Sequence, residues 1–130
     1  MKFEGIMPAL VTPLTADERI NVPVLHKLID YLISERADGF YIGGATGEGL
    51  ALRPEERKIM TEESVKAIGG RAPSIIQVAS CDFSVMLDLA RHAEAAGADA
   101  ISATAPSFLS TIPTTCITII RDSQMPCISP

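Results

Sequence analysis

Tryptophan is absent from this 130-residue chain, and tyrosine and phenylalanine together hold aromatic content to 5%. So few rings exclude a stacking platform for nucleic-acid bases. Positive charge is also scarce: 11 Lys and Arg face 16 Asp and Glu, for a formal net charge of −5. Binding nucleic acid or an anionic membrane needs clustered Lys and Arg, so neither partner is expected. The three cysteines form no C-x-x-C pair, so no disulfide framework or zinc site is expected. No 18-residue apolar run occurs, and Met1-Lys2-Phe3-Glu4-Gly5 lacks the pattern of a signal peptide. A soluble, cytoplasmic protein with no metal is the expectation. At 47% apolar residues, the composition supplies a modest core for one domain.

The first hundred residues alternate between two patterns. Gly5-Ile6-Met7-Pro8-Ala9-Leu10-Val11 is a short apolar run of the kind that suits a strand covered on both faces. Asn21 then offers an N-cap, Pro23 fits a first helical turn, and Leu25, Leu28, Ile29, Leu32 and Ile33 recur at helical spacing. A second strand is expected at Gly39-Phe40-Tyr41-Ile42. The next helix runs from Pro54-Glu55-Glu56 to about Ile68, stopped by Gly69-Gly70. Ser74-Ile75-Ile76-Gln77-Val78 is a third strand, and Asp82 or Ser84 caps a third helix ending at Gly97. Ala100-Ile101-Ser102-Ala103-Thr104 is a fourth. This order implies right-handed crossovers and four parallel strands with three helices. A repeat accompanies it: Ala37-Asp38-Gly39-Phe40-Tyr41-Ile42 and Ala98-Asp99-Ala100-Ile101-Ser102-Ala103 share one layout 61 residues apart.

The texture breaks after residue 106. Residues 107–130 hold eight Ser or Thr, three Pro and only two charges, Arg121 and Asp122, and an irregular tail is expected there. A closed β/α barrel needs about 250 residues, so the length corresponds to about half of one.

In parallel α/β folds, ligands sit at the carboxyl ends of the strands. There the second strand runs into Gly43-Gly44-Ala45-Thr46-Gly47-Glu48-Gly49. Its glycines allow a tight turn whose N–H groups can face an anion, and Thr46 adds a hydroxyl that can bind a carboxylate or relay a proton. A plain turn, with Glu48 accepting backbone N–H bonds, is the competing reading. A nucleotide site is disfavoured, because neither G-x-G-x-x-G nor a Lys-Ser/Thr pair is present. Lys2, Lys27, Lys58 and Lys66 all fall away from strand ends and read as solvated. His26 and His92 lie within helices without a catalytic partner, Cys81 reads as a core or loop residue, and Tyr41 reads as core.

Together, Pro8-Ala9-Leu10-Val11-Thr12-Pro13, Leu28-Ile29-Asp30-Tyr31-Leu32 and residues 39–49 carry a resemblance to the N-acetylneuraminate lyase and dihydrodipicolinate synthase family. Leu52 with Glu55-Glu56-Arg57-Lys58, and Leu89-Ala90-Arg91-His92-Ala93-Glu94 running into Gly97-Ala98-Asp99-Ala100-Ile101, extend it over residues 1–106. The resemblance implies the amino-terminal half of a TIM barrel and, for the full-length form, a homotetramer. It implies a cofactor-free aldolase-type lyase that joins a lysine to pyruvate, or another 2-keto acid, as a Schiff base. Within that reading Gly44, Ala45 and Thr46 bind the substrate carboxylate, Thr46 is also catalytic, and Gly47 and Glu48 structure the loop. The double glycine and Gly49 place the chain nearer the neuraminate lyases than the synthases, which condense pyruvate with an aldehyde.

Two departures stand out. Ala45 replaces a family Ser or Thr, and Pro106 is followed by Ser107-Phe108-Leu109 where the family has a relay Tyr. The Schiff-base lysine is expected beyond these residues, so the chain reads as truncated and inactive alone. A non-catalytic fragment or pseudoenzyme is the alternative, and a flavodoxin-like binding domain a third. A half barrel would leave the edges of its first and fourth strands unpaired. Residues 107–130 also read as an out-of-frame translation: shifted to the third base, Gln124-Met125-Pro126 encodes Asn or Asp, then Ala, then Leu, Met or Val. A natural degenerate tail is the other reading.

Overall fold

The structure, a computed structural model, describes residues 3–104 and the backbone of Thr115–Ile119. The relay Tyr missed after Pro106 and the out-of-frame reading concern residues outside those described, apart from 115–119. Helix α1 (Val22–Ser34) is followed by strand β1 (Phe40–Ile42), helix α2 (Pro54–Ile68), strand β2 (Ser74–Gln77), helix α3 (Phe83–Ala95), strand β3 (Ala100–Thr104) and strand β4 (Thr115–Ile119).

Local chemistry explains the helix limits. Asn21 Oδ1 accepts the Val24 N–H (3.3 Å) at the start of α1, and Asp82 Oδ1 accepts both the N–H (2.8 Å) and the hydroxyl (2.7 Å) of Ser84 at the start of α3. Those two bonds hold the Asp82 carboxyl below the usual carboxylate range. Helix α2 ends where Gly69 takes a left-handed conformation, with φ of 57°.

Strands β1, β2 and β3 form a parallel sheet in the order of the sequence, with Tyr41 beside Ile75 and Ile75 beside Ala100. Alternate residues face opposite sides. Phe40, Ile42 and Ile76 turn toward the helices and pack with Leu25, Ile29, Met60, Ile68, Leu89 and Ala93. Full burial of side chains of this size contributes about 1.5–3 kcal/mol each for the larger ones. On the outside, polar contacts lace α2 to its neighbours: a hydrogen bond between His26 and Glu63 (2.8 Å) toward α1, and an ion pair of Lys58 with Asp88 (2.6 Å) toward α3.

Two expectations fail. The first apolar run makes only an isolated parallel bridge, Ala9 to Tyr41, so three parallel strands form, not four. Tyr41 N–H donates to Pro8 O (3.1 Å) and Leu10 N–H to Tyr41 O (2.9 Å), but Pro8 has no N–H with which to extend the ladder. In addition, the stretch expected to be irregular contains β4, antiparallel to β3 from Ala100–Ile119 to Thr104–Thr115. Its β-branched sequence suits a strand, and it pairs the edge of β3 that was expected to stay open.

The 61-residue repeat acquires a physical meaning at the amino end of the sheet. Asp38, entering β1, accepts the N–H of Ile6 (2.8 Å), where the neighbouring apolar run begins. Asp99, entering β3, accepts the N–H (2.9 Å) and hydroxyl (3.0 Å) of Ser74, the first residue of β2. Each aspartate thus clasps the start of the neighbouring segment, the apolar run for Asp38 and β2 for Asp99. Asp99 is buried and Asp38 exposed. Asp99→Ala strands the buried Ser74 donors and is expected to cost about 1–3 kcal/mol in urea denaturation. Asp38→Ala, whose partner is solvent-accessible, is expected to cost clearly less; equal losses would contradict the burial argument.

Candidate functional site

The loop leaving β1 folds into successive turns. Glu48 N–H donates to Ala45 O (3.0 Å), Gly49 N–H to Gly44 O (3.1 Å), and Ala51 N–H to Glu48 O (2.8 Å). The Thr12 hydroxyl ties the loop to the amino-terminal segment by donating to Gly47 O (2.6 Å). Two glycines are required by close approach. A side chain at Gly49 would strike the Gly43 carbonyl, and a Cβ at Gly44 would lie 2.5 Å from the Tyr41 ring.

Ala45 and Thr46 are exposed at the top of this loop. Among the described residues neither N–H donates to a backbone oxygen, and the Thr46 hydroxyl has no hydrogen bond. Consecutive N–H groups without a described partner, beside a hydroxyl, are donors of the kind an anion can use. Thr46 lines a cavity of about 140 Å³ with Val11, Thr12, Leu14, Gly47, Glu48 and Leu52. A wider cleft of about 460 Å³ shares Leu14, Glu48 and Leu52 and is bordered by Arg19, Arg53 and Glu56. Glu48 has a positive φ of 53° and is exposed. It is not the acceptor of loop N–H groups that the plain-turn reading required, because among the described residues its carboxylate has no such bond. Glu56, at the start of α2, is such an acceptor: it takes the Arg53 N–H (2.9 Å) and side chain (2.6 Å), which holds its carboxyl below the usual range.

Behind the loop lies a residue that sequence reasoning passed over. Arg57 is 6% exposed. Its guanidinium donates to Ala79 O (2.8 Å), Gln77 O (2.8 Å) and Gln77 Oε1 (3.0 Å) at the carboxyl end of β2. Burial pushes the group below the ordinary arginine value, and it remains a cation. The sign of its burial was the helix register: Arg57 shares a face with Met60, Thr61, Ser64 and Ile68.

Tyr41 was also misplaced. It lies on the face of β1 away from the helical core, half-buried, with its hydroxyl 3.0 Å from Ser102 Oγ. Gln77 Nε2 donates to Thr104 Oγ1 (3.1 Å) on the same face. No described lysine joins the site: Lys27 lies on α1, while Lys58 and Lys66 lie on α2 and pair with Asp88 and Glu63. Cys81 is exposed after β2, and no group of His, Cys, Asp and Glu among the described residues could hold a metal ion. No described helix is long and apolar enough to cross a membrane.

Residues 2–116 match the Dihydrodipicolinate synthetase family. The chain belongs to that family. It is similar to N-acetylneuraminate lyase of Gallus gallus, at 44% identity over 82% of this chain and 35% of that protein. It is also similar to 4-hydroxy-tetrahydrodipicolinate synthase of Roseobacter denitrificans, at 41% identity over 82% of this chain and 36% of that protein. Among solved structures it resembles a prophage protein of the dihydrodipicolinic acid synthase family from E. coli K12 in complex with pyruvate. That likeness has 35% identity and a TM-score of 0.74, and covers 76% of this chain and 33% of the other. The chain therefore spans about a third of the length of the relatives it matches. The family match extends ten residues past the boundary expected at 106.

Arg57 joins helix α2 to the carboxyl end of β2, so its replacement tests that connection. Arg57→Lys keeps the charge but cannot reach three acceptors from one fork. It is expected to destabilise the chain by about 1–3 kcal/mol in chemical denaturation. A loss within error of zero would show that the three bonds contribute nothing.

Proposed function

We propose that this chain carries the 2-keto-acid carboxylate site of an aldolase-type lyase of the N-acetylneuraminate lyase kind. The observation that carries this reading is the exposed Ala45-Thr46 donor set, with two free N–H groups and a free hydroxyl at the carboxyl end of a parallel strand. The similarity to a protein solved with pyruvate, and to neuraminate lyase at 44% identity, supports it.

In this reading the N–H groups of Ala45 and Thr46 and the Thr46 hydroxyl hold the substrate carboxylate, with Gly44 allowing the close approach. Gly47, pinned by Thr12, and Glu48, which closes the turn with its N–H, keep the cradle in shape. Neutral donors fixed before the substrate arrives need no rearrangement to meet its charge. The buried Arg57 cation stands behind the same strand ends and favours an anion there.

Carbon–carbon bond making or breaking next to a keto group calls for an electron sink, which a lysine iminium supplies. None of the described lysines is placed for that, so this reading assigns the described residues the binding of the acid and no covalent step. The related synthase at 41% identity favours a second reading, condensation of pyruvate with an aldehyde. The cradle serves both, because both begin with the same keto acid.

Pyruvate binding to the 130-residue chain, followed by ligand-observed NMR, tests the cradle. Thr46→Val is expected to weaken binding about tenfold or more, the value of one hydrogen bond to a carboxylate. Unchanged affinity would remove Thr46 from the site. Borohydride treatment with pyruvate is expected to leave the chain's mass unchanged, and a covalent adduct would overturn the reading of its lysines as taking no covalent part.

A further inference from the structure

The hydroxyl pair of Tyr41 and Ser102 lies at the same end of the sheet as the carboxylate cradle, and nothing in the fold requires it to be there. The two residues occupy equivalent positions in the 61-residue repeat and reach across β2 to lie 3.0 Å apart. Ser102 is completely buried, so its hydroxyl is fixed, while Tyr41 is only half-buried. The Tyr41 ring is fixed as well, because it lies under Gly44 so closely that no Cβ fits between them. The first residue of the cradle and the ring of Tyr41 are therefore in contact.

Two nearby hydroxyls are already committed, while that of Thr104, which accepts from Gln77 Nε2, keeps its proton at the end of β3. Thr12 donates to Gly47 O and Thr61 to Arg57 O, so neither has a proton left for a ligand. Ala45 contributes no hydroxyl at all. A keto acid whose carboxylate sits on Ala45 and Thr46 still has a keto oxygen that needs a donor, at a cost of about 1–3 kcal/mol if it is buried without one.

Resting on the keto-acid reading above, we infer that Tyr41 and Ser102 form the keto-oxygen subsite of this cradle. Ser102 Oγ–H donates to Tyr41 Oη, which leaves the phenolic proton free to donate to the keto oxygen. Thr46 then recognises the acid as an anion, and Tyr41 recognises it as a 2-keto acid.

The test compares pyruvate with propanoate, which has the same carboxylate and no keto oxygen, on the wild-type chain and its variants. Wild type is expected to bind pyruvate more tightly than propanoate. Tyr41→Phe keeps the ring against Gly44 and is expected to weaken pyruvate about five- to tenfold while leaving propanoate unchanged. Ser102→Ala is expected to act in the same direction, and Thr46→Val to weaken both acids alike. If Tyr41→Phe leaves the pyruvate-to-propanoate ratio at its wild-type value, whether by weakening both acids or neither, the keto-oxygen subsite is overturned and the cradle stands. If the folded wild-type chain, checked by far-UV circular dichroism, binds neither acid, the cradle reading falls and the subsite falls with it.

Discussion

A buried guanidinium with no carboxylate partner among the described residues organises the carboxyl end of the sheet. Arg57 reaches from α2 into the carboxyl end of β2 and is held there by two backbone carbonyls and the Gln77 side chain. Leaving a buried donor unmade is costly, so the helix, the strand end and the Gln77 side chain are constrained together. Gln77 in turn donates to Thr104 on β3, which carries the constraint across the sheet. The loop bearing Thr46 lies in front of this wall, between strand β1 and the helix that holds Arg57. The donor set at Ala45 and Thr46 therefore stands on a support made of hydrogen bonds as well as apolar packing.

The two ends of the sheet solve different problems with charged or polar groups. At the amino end, Asp38 clasps the start of the first apolar run in water and Asp99 the start of β2 in a buried position. At the carboxyl end, the Ala45 and Thr46 N–H groups and the Thr46 hydroxyl have no partner among the described residues, which is where the proposed carboxylate site lies. The division matches the general rule for parallel sheets, in which stability concentrates at one end and ligands at the other. The repeat contributes to both ends, with its aspartates at one and the Tyr41–Ser102 pair toward the other.

Much of the architecture was legible in local residues. The three helices, their caps at Asn21 and Asp82, and the stop at Gly69 were all readable, because each depends on bonds made within a few residues. The loop at 43–49 was legible as a candidate site for the same reason: its glycines mark tight turning wherever they occur. Less legible were features that depend on what lies across the sheet. Tyr41 alternates with buried residues and so read as core, but period two says only that it faces away from Phe40 and Ile42, not what it meets there. Arg57, in a stretch rich in charges of both signs, read as an ordinary family landmark, and only the helix face it shares with Met60 and Ile68 betrays its burial.

Sequence by itself determined the order of elements, the helix ends, the glycine-rich loop and the family to which these residues belong. Those are set by backbone freedom, capping and periodicity, all short-range quantities. Tertiary structure alone decided that the first apolar run makes one bridge and not a strand, that β4 pairs antiparallel on β3, that Arg57 is buried, and that Tyr41 meets Ser102. Each of these depends on register and contact between residues far apart in the chain. Which distant groups a side chain must satisfy is settled only when the strands and helices are packed together.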